Sequence, residues 1–246
     1  MLYRAVYILI VAFAAVSCQF TETMVLNEDG SGRMAIEMDM SEMMAFGGMI
    51  EDSTITKIDT LVSMKSILEE KQDSISQLSK KEQAKLKKME NYFLRMYMDT
   101  EDDEMVMKMY TDFKNVEEAN DIMDGFGNAS SLVPNLGGGD MNFKKDEESS
   151  EIMGVSYQYK KGKFIRDAYI KDIEKHKAQI DSMKNAESFM SSMKYKLKYT
   201  FPKKIVKSSV EDATYSLDGK TIEFERNFID YMKDPDIMDL EVEIEN

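Results

Sequence analysis

Apolar and polar residues alternate with a period of two along much of this chain, and that rhythm predicts β-hairpins. Phe20–Leu26, the tip Asn27-Glu-Asp-Gly-Ser-Gly32, and Arg33–Met40 form the first hairpin. In its second arm Met34, Ile36, Met38 and Met40 share one face, with Arg33, Glu37 and Asp39 opposite. The tip supplies residues that accept positive φ. A second hairpin follows. Tyr92, Leu94, Met96 and Met98 alternate on one arm, Met105, Met107 and Met109 on the other, and Asp99–Glu104 turns between them. Met153, Val155, Tyr157 and Tyr159 mark another strand, turning at Lys161-Gly162 into Lys163–Arg166. Tyr195, Leu197, Tyr199 and Phe201 begin the C-terminal β region, which Pro202 interrupts. Asp218-Gly219 reads there as a type I′ turn, and Leu240, Val242 and Ile244 make the last strand.

Helical spacing is confined to the intervals. Ser41 caps a short stretch that ends at Gly47-Gly48. A strand over Lys57–Ser63 leads into a helix through Ile67, Leu68, Ile75 and Leu78. Ser79-Lys-Lys-Glu82 is a capping box opening the next helix. Asn115 caps a short helix over Val116–Met123. A long helical region spans roughly Tyr169–Met193. Glycines, Asn and Ser crowd residues 125–150, which predicts a long loop. The predicted fold class is α+β: about ten antiparallel strands in a sheet, three to four helices packed on it, and a Gly-rich insertion loop. So many hairpin turns argue against a parallel α/β enzyme fold. Both ends of the chain are β and are expected to pair in one sheet, giving a single domain over residues 18–246.

The first seventeen residues read as an address. The run Val6–Val16 is uninterruptedly apolar, but as a helix it rises only about 16 Å. A bilayer core needs about 30 Å. A single Arg4 precedes it and small residues follow, which is the pattern of a signal peptide over residues 1–17. Ala15-Val16-Ser17-Cys18 resembles a lipobox, the site at which bacterial lipoproteins are cleaved and acylated on cysteine. The resemblance makes Cys18 the lipidation site and the membrane a partner through its lipid, palmitate included. Three acyl chains suffice for stable anchoring. Gln19 after the cysteine, in place of Asp, favours by the same resemblance the outer membrane, on its periplasmic face or at the cell surface. Gln19 with Glu22 also resembles a surface-export signal of Bacteroidetes lipoproteins.

Composition narrows the function. The chain of 246 residues has one Cys, one His, no Trp and 23 Met, with a formal net charge of −14. One Cys excludes a disulfide scaffold and a Cys-cluster zinc site. A strongly negative surface argues against nucleic acid as a partner. The Gly137-Gly138-Gly139 triplet lacks the preceding strand and following G-K-[ST] of a phosphate loop. The acidic turn Asp99–Glu104 lacks the glycine and distal Glu of a calcium loop. The lysines at 80, 81, 85, 87 and 88 read as a solvated helix face or, alternatively, as a contact for anionic head groups.

For catalysis there is little material. His176 sits among charges at Glu174-Lys-His-Lys177 and is expected at the surface. No G-x-S-x-G elbow is present, and Cys18 is committed to lipid. No catalytic, cofactor-binding or metal residue is therefore assigned. The expected function is a non-enzymatic, membrane-anchored envelope lipoprotein binding a lipid or a protein partner. Two alternatives stay open. One is an envelope hydrolase using a carboxylate pair. The other is a Cu(I) binder, because Met38/Met40, Met96/Met98 and Met105/Met107/Met109 place thioethers two residues apart on one strand face; the competing reading is methionine filling the core in place of leucine.

Two segments carry a family resemblance. The lipid cysteine followed by strand, Asn-Glu-Asp-Gly-Ser-Gly and strand, with Tyr199-Thr-Phe-Pro-Lys-Lys204 and Tyr215-Ser-Leu-Asp-Gly-Lys-Thr221, looks like a lipoprotein family of Bacteroidetes. The same segments are more distantly similar to the mycobacterial LppM domain. That resemblance implies an α/β domain of envelope lipoproteins linked to lipid binding, and it brings no catalytic residues.

Overall fold

The computed structural model describes residues 19–45, 56–120, 122, 152–184 and 187–245. The expected signal segment 1–17, Cys18 and the glycine-rich stretch at about 125–150 lie outside them. The alternation read from the sequence becomes strands in two sheets. Strands β1 (Gln19–Leu26), β2 (Gly32–Asp39), β3 (Lys57–Ser63), β4 (Tyr92–Asp99), β5 (Glu104–Phe113), β8 (Lys194–Thr200), β10 (Thr214–Tyr215) and β11 (Thr221–Asn227) form an eight-stranded sheet. Strands β6 (Met153–Lys160), β7 (Lys163–Ile170), β9 (Ile205–Ser208) and β12 (Leu240–Ile244) form a second, of four. The spatial order is β10-β11-β8-β1-β2-β5-β4-β3 in the first and β6-β7-β12-β9 in the second. All pairings are antiparallel except β1 with β8, where Gln19 pairs with Lys194 and Val25 with Thr200. The fold class is α+β, as the pattern predicts.

The two chain ends do not share a sheet. β1 is central to the larger one, whereas β12 lies between β7 and β9 in the smaller. Alternation fixes which residues face inward but not which of two stacked sheets a strand joins. The helices are also shorter and more numerous than expected. They are α1 (Ser41–Ala45), α2 (Met64–Glu70), α3 (Gln72–Ser76), α4 (Lys80–Lys88), α5 (Ile173–Met183), α6 (Glu187–Met190) and α7 (Phe228–Lys233). The helix expected through Leu78 breaks at Lys71, which caps α2 and opens α3. The helix expected from Tyr169 starts only at Ile173. Tyr169 and Ile170 instead complete β7, paired with Gly154 and Met153, and the Asp172 side chain accepts from the backbone N–H groups of Glu174 and Lys175. Asn115 caps as expected, but over a 3-10 turn at Val116–Ala119.

The inward faces merge into one core. It runs from Met24, Met34 and Leu94 in the large sheet to Phe164 and Val242 in the small one, with Met64 of α2 and Leu86 of α4. Aromatic rings bridge the two sheets: Phe164 meets Tyr199 edge-on at 5.5 Å and Phe201 at 5.3 Å. The outward face of the large sheet carries cross-strand ion pairs instead. Arg33 meets Asp112 at 2.6 Å and Arg95 meets Asp59 at 2.9 Å, while Phe93 stacks on Tyr110 at 5.2 Å. Exposed pairs of this kind contribute little stability each.

Candidate functional site

β1 places Glu22 on the same inward phase as Met24 and Leu26, so the strand drives a carboxylate into the core. It is completely buried, and so is the Arg166 side chain that reaches it from β7 across the gap between the sheets. The guanidinium is bidentate: Nε donates to Oε1 at 3.2 Å and Nη2 to Oε2 at 3.0 Å. Its Nη1 donates to the Met238 carbonyl at 2.9 Å. Three tyrosine hydroxyls complete the shell. Tyr157 of β6 donates to Oε1 at 2.6 Å, Tyr195 of β8 to Oε2 at 2.6 Å, and Tyr199 of β8 to Oε1. Tyr231 of α7 packs on Tyr195 with ring centroids 4.7 Å apart and also interacts with Arg166.

The electrostatics follow from this shell. Burial alone pushes the Glu22 carboxyl up. The charge of Arg166 and the hydrogen bonds from Arg166, Tyr157 and Tyr195 outweigh it and hold the group below its ordinary value. Burial, and then the neighbouring carboxylate, push the hydroxyls of Tyr157, Tyr195 and Tyr199 far above theirs. The cluster is thus an ionised carboxylate–guanidinium pair among neutral phenols, with each carboxylate oxygen supplied with donors. An isolated buried charge is costly, and this shell is the arrangement that offsets the cost. It joins β1, β6, β7 and β8 and holds the two sheets together. It offers no unshared proton acceptor and no uncommitted carboxylate partner for acid–base chemistry.

The sequence-predicted residues fall elsewhere. Cys18 is outside the described residues, one position before the start of β1. His176 is buried rather than exposed, with relative exposure of 7%. α5 lies against α7, and the ring Nε2 donates to the Met232 carbonyl at 2.7 Å. Burial reopens the question of a histidine-activated nucleophile, but that hydrogen bond to a main-chain carbonyl gives His176 a packing role. The alternating methionines are core residues: Met38, Met96, Met98, Met105, Met107 and Met109 are all buried. The turn residues Glu101–Glu104 are exposed, as are Lys80, Lys87 and Lys88. Lys65 of α2, with Leu68, Ile75, Leu86 and Lys87, lines an open groove of about 410 Å³ among α2, α3 and α4. Among the described residues no group of three or more His, Cys, Asp or Glu side chains is placed to hold a metal. No described helix is long and apolar enough to cross a membrane.

Glu22 is the functional-core residue that sequence reasoning missed. The sequence singled it out only within a resemblance to an export signal, and in the folded domain it is the centre of the polar core. The signal that locates it is the alternation itself, since Glu22 occupies the apolar phase between Phe20 and Met24. Arg166 likewise stands in phase with Phe164 and Ala168.

No family model matches the chain, and no curated protein matches it. Among solved structures it is similar to the folded domain of LppM from Mycobacterium tuberculosis. The likeness has a TM-score of 0.42 and 7% sequence identity, over 93% of this chain and 89% of that one.

Proposed function

We propose that the protein is a non-enzymatic envelope lipoprotein, tethered to the outer membrane through acylated Cys18, whose α+β domain binds a lipid or protein partner. The observation that carries the non-enzymatic part is the closed shell of Glu22. The most distinctive polar cluster of the domain is fully satisfied internally and serves as a joint between the sheets. What supports the tether is the hydrophobic run and Ala15-Val16-Ser17-Cys18, together with the position of β1. The strand begins at Gln19, so a lipid on Cys18 would attach to the sheet with no intervening linker. The groove among α2, α3 and α4, apolar at Leu68, Ile75 and Leu86 and edged by Lys65 and Lys87, is the place where a partner fits. Its size lies in the range of small-molecule sites.

Membrane fractionation tests the tether. The wild-type chain is expected in the membrane fraction and the Cys18→Ala variant in the soluble fraction or as unprocessed precursor; mature Cys18→Ala protein retained on membranes contradicts the reading. Native mass spectrometry of the protein extracted from its own envelope tests the partner. Co-purified lipid or protein that is lost on Leu68→Glu substitution supports the groove, whereas a partner unaffected by that substitution places binding elsewhere.

A further inference from the structure

The inward face of β2, β5 and β4 carries methionines at two successive levels. Met38 stands opposite Met107, and Met107 opposite Met96. One level towards the strand ends, Met105 stands opposite Met98, and the backbone N–H of Met40 donates to the Met105 carbonyl at 2.8 Å. Directly opposed residues on neighbouring antiparallel strands have Cβ atoms about 4.5–5.5 Å apart, and residues i and i+2 on one strand lie about 7 Å apart. Six thioethers therefore occupy a two-by-three block. Their unbranched side chains, with three rotatable bonds each, can turn several sulfurs to one point.

The block sits at the rim of the core. Its six residues have relative exposures of 3–9%, while Met34 and Met109, further along β2 and β5, have 0%. Beside it is the turn between β4 and β5, where Glu101, Asp102, Asp103 and Glu104 are exposed. A tight group of carboxylates raises the local concentration of cations, and the net charge of −14 adds to that field.

We infer that this methionine block is a binding site for one soft monovalent cation, Cu(I) or its analogue Ag(I), held by the thioethers of Met38, Met96 and Met107 and reached past Met40, Met98 and Met105. The donor chemistry selects the ion. Thioethers are neutral, soft ligands that suit Cu(I) and serve hard cations such as calcium or magnesium poorly. Packing by itself does not call for this composition: leucine or isoleucine fills similar volumes with better-defined rotamers. The acidic turn gathers cations without holding a soft one, and the thioethers behind it supply the selectivity.

The test uses the full chain in detergent, with Cys18→Ser so that no thiol competes. It is titrated anaerobically with Cu(I) against a chromogenic chelator, and with Ag(I) followed by native mass spectrometry. The expected result is one ion per chain, bound more tightly than micromolar, with a sulfur-only first shell by X-ray absorption. The volume-conserving triple variant M38L/M96L/M107L is expected to lose binding tighter than micromolar, because it removes all three soft donors, while keeping the wild-type circular dichroism. Should the triple variant not fold, the three single Met→Leu variants replace it, each with measurably weaker binding. Binding no tighter than micromolar, equal binding by the leucine variants, or nitrogen or oxygen ligands in the first shell overturns the assignment.

Discussion

Glu22 shows how one side chain can set the behaviour of a whole interface. Five hydrogen bonds converge on its carboxylate, so replacing it strands a buried guanidinium. Glu22→Gln is expected to lower stability by about 3–5 kcal/mol, the cost of breaking a buried ion pair by removing one partner. Tyr199→Phe removes one donor and leaves four, and is expected to cost less, about 1.5–3 kcal/mol. Urea unfolding of both variants checks the ranking; equal costs contradict it. The acid limb follows from the same residue. The folded-state pKa of Glu22 lies below its ordinary 4.5, so its contribution is complete above that value. It is lost as pH falls below 4.5 through the folded-state value. The urea midpoint of the wild-type protein is expected to drop below pH 4.5, and that of Glu22→Gln to drop less steeply there. Parallel curves contradict the assignment.

At the scale of elements, the hairpins were legible because each rests on local chemistry. Alternation set the faces of β2, β4 and β5, and Lys161-Gly162 turns with positive φ at both positions. The helices were less legible because their ends depend on competing partners. Ile170 follows the ladder of β6 rather than the helix pattern, and nothing local in Gln72–Ser76 announces a break at Lys71. Asp218-Gly219 was read as a type I′ turn, but only Gly219 has positive φ. The loop instead closes through Gly219 N–H to the Ser216 carbonyl at 2.9 Å, which spares Asp218 the left-handed conformation. The tightest constraint within an element is at Gly32, the first residue of β2. A Cβ there would lie 2.2 Å from the Val25 carbonyl oxygen and 2.6 Å from the Phe113 ring. Gly32→Ala is therefore expected to destabilise by about 1–3 kcal/mol, in the range of overpacking strain, seen as a lower thermal midpoint. An unchanged midpoint would mean that the hairpin opens at no cost.

For the molecule as a whole, sequence pattern gave the fold class but not the assembly. Which strands join the small sheet, and that β1 runs parallel to β8, with Gln19 opposite Lys194, depend on contacts between distant segments. The polar core was legible only in outline: Glu22 and Arg166 each break an apolar phase, but nothing along the chain pairs them. The proposed tether at Cys18 rests on a linear motif alone, because signal sequences are read before folding. Here the two levels meet, since the strand that begins next to the proposed lipid is the one locked by Glu22. With no linker between them, the domain is expected to lie close to the bilayer. A flexible twenty-residue insertion between Cys18 and Gln19 is expected to leave membrane retention intact while increasing protease access to the turn at Glu101–Glu104, which lies at the same end of the large sheet as Gln19. Unchanged access contradicts close apposition.

The most direct test of the lipoprotein reading is the intact mass of the protein extracted from membranes. The account predicts a chain that starts at Cys18 and carries covalently bound acyl groups on that residue. A mature chain with unmodified Cys18, or one cleaved at another position, contradicts it.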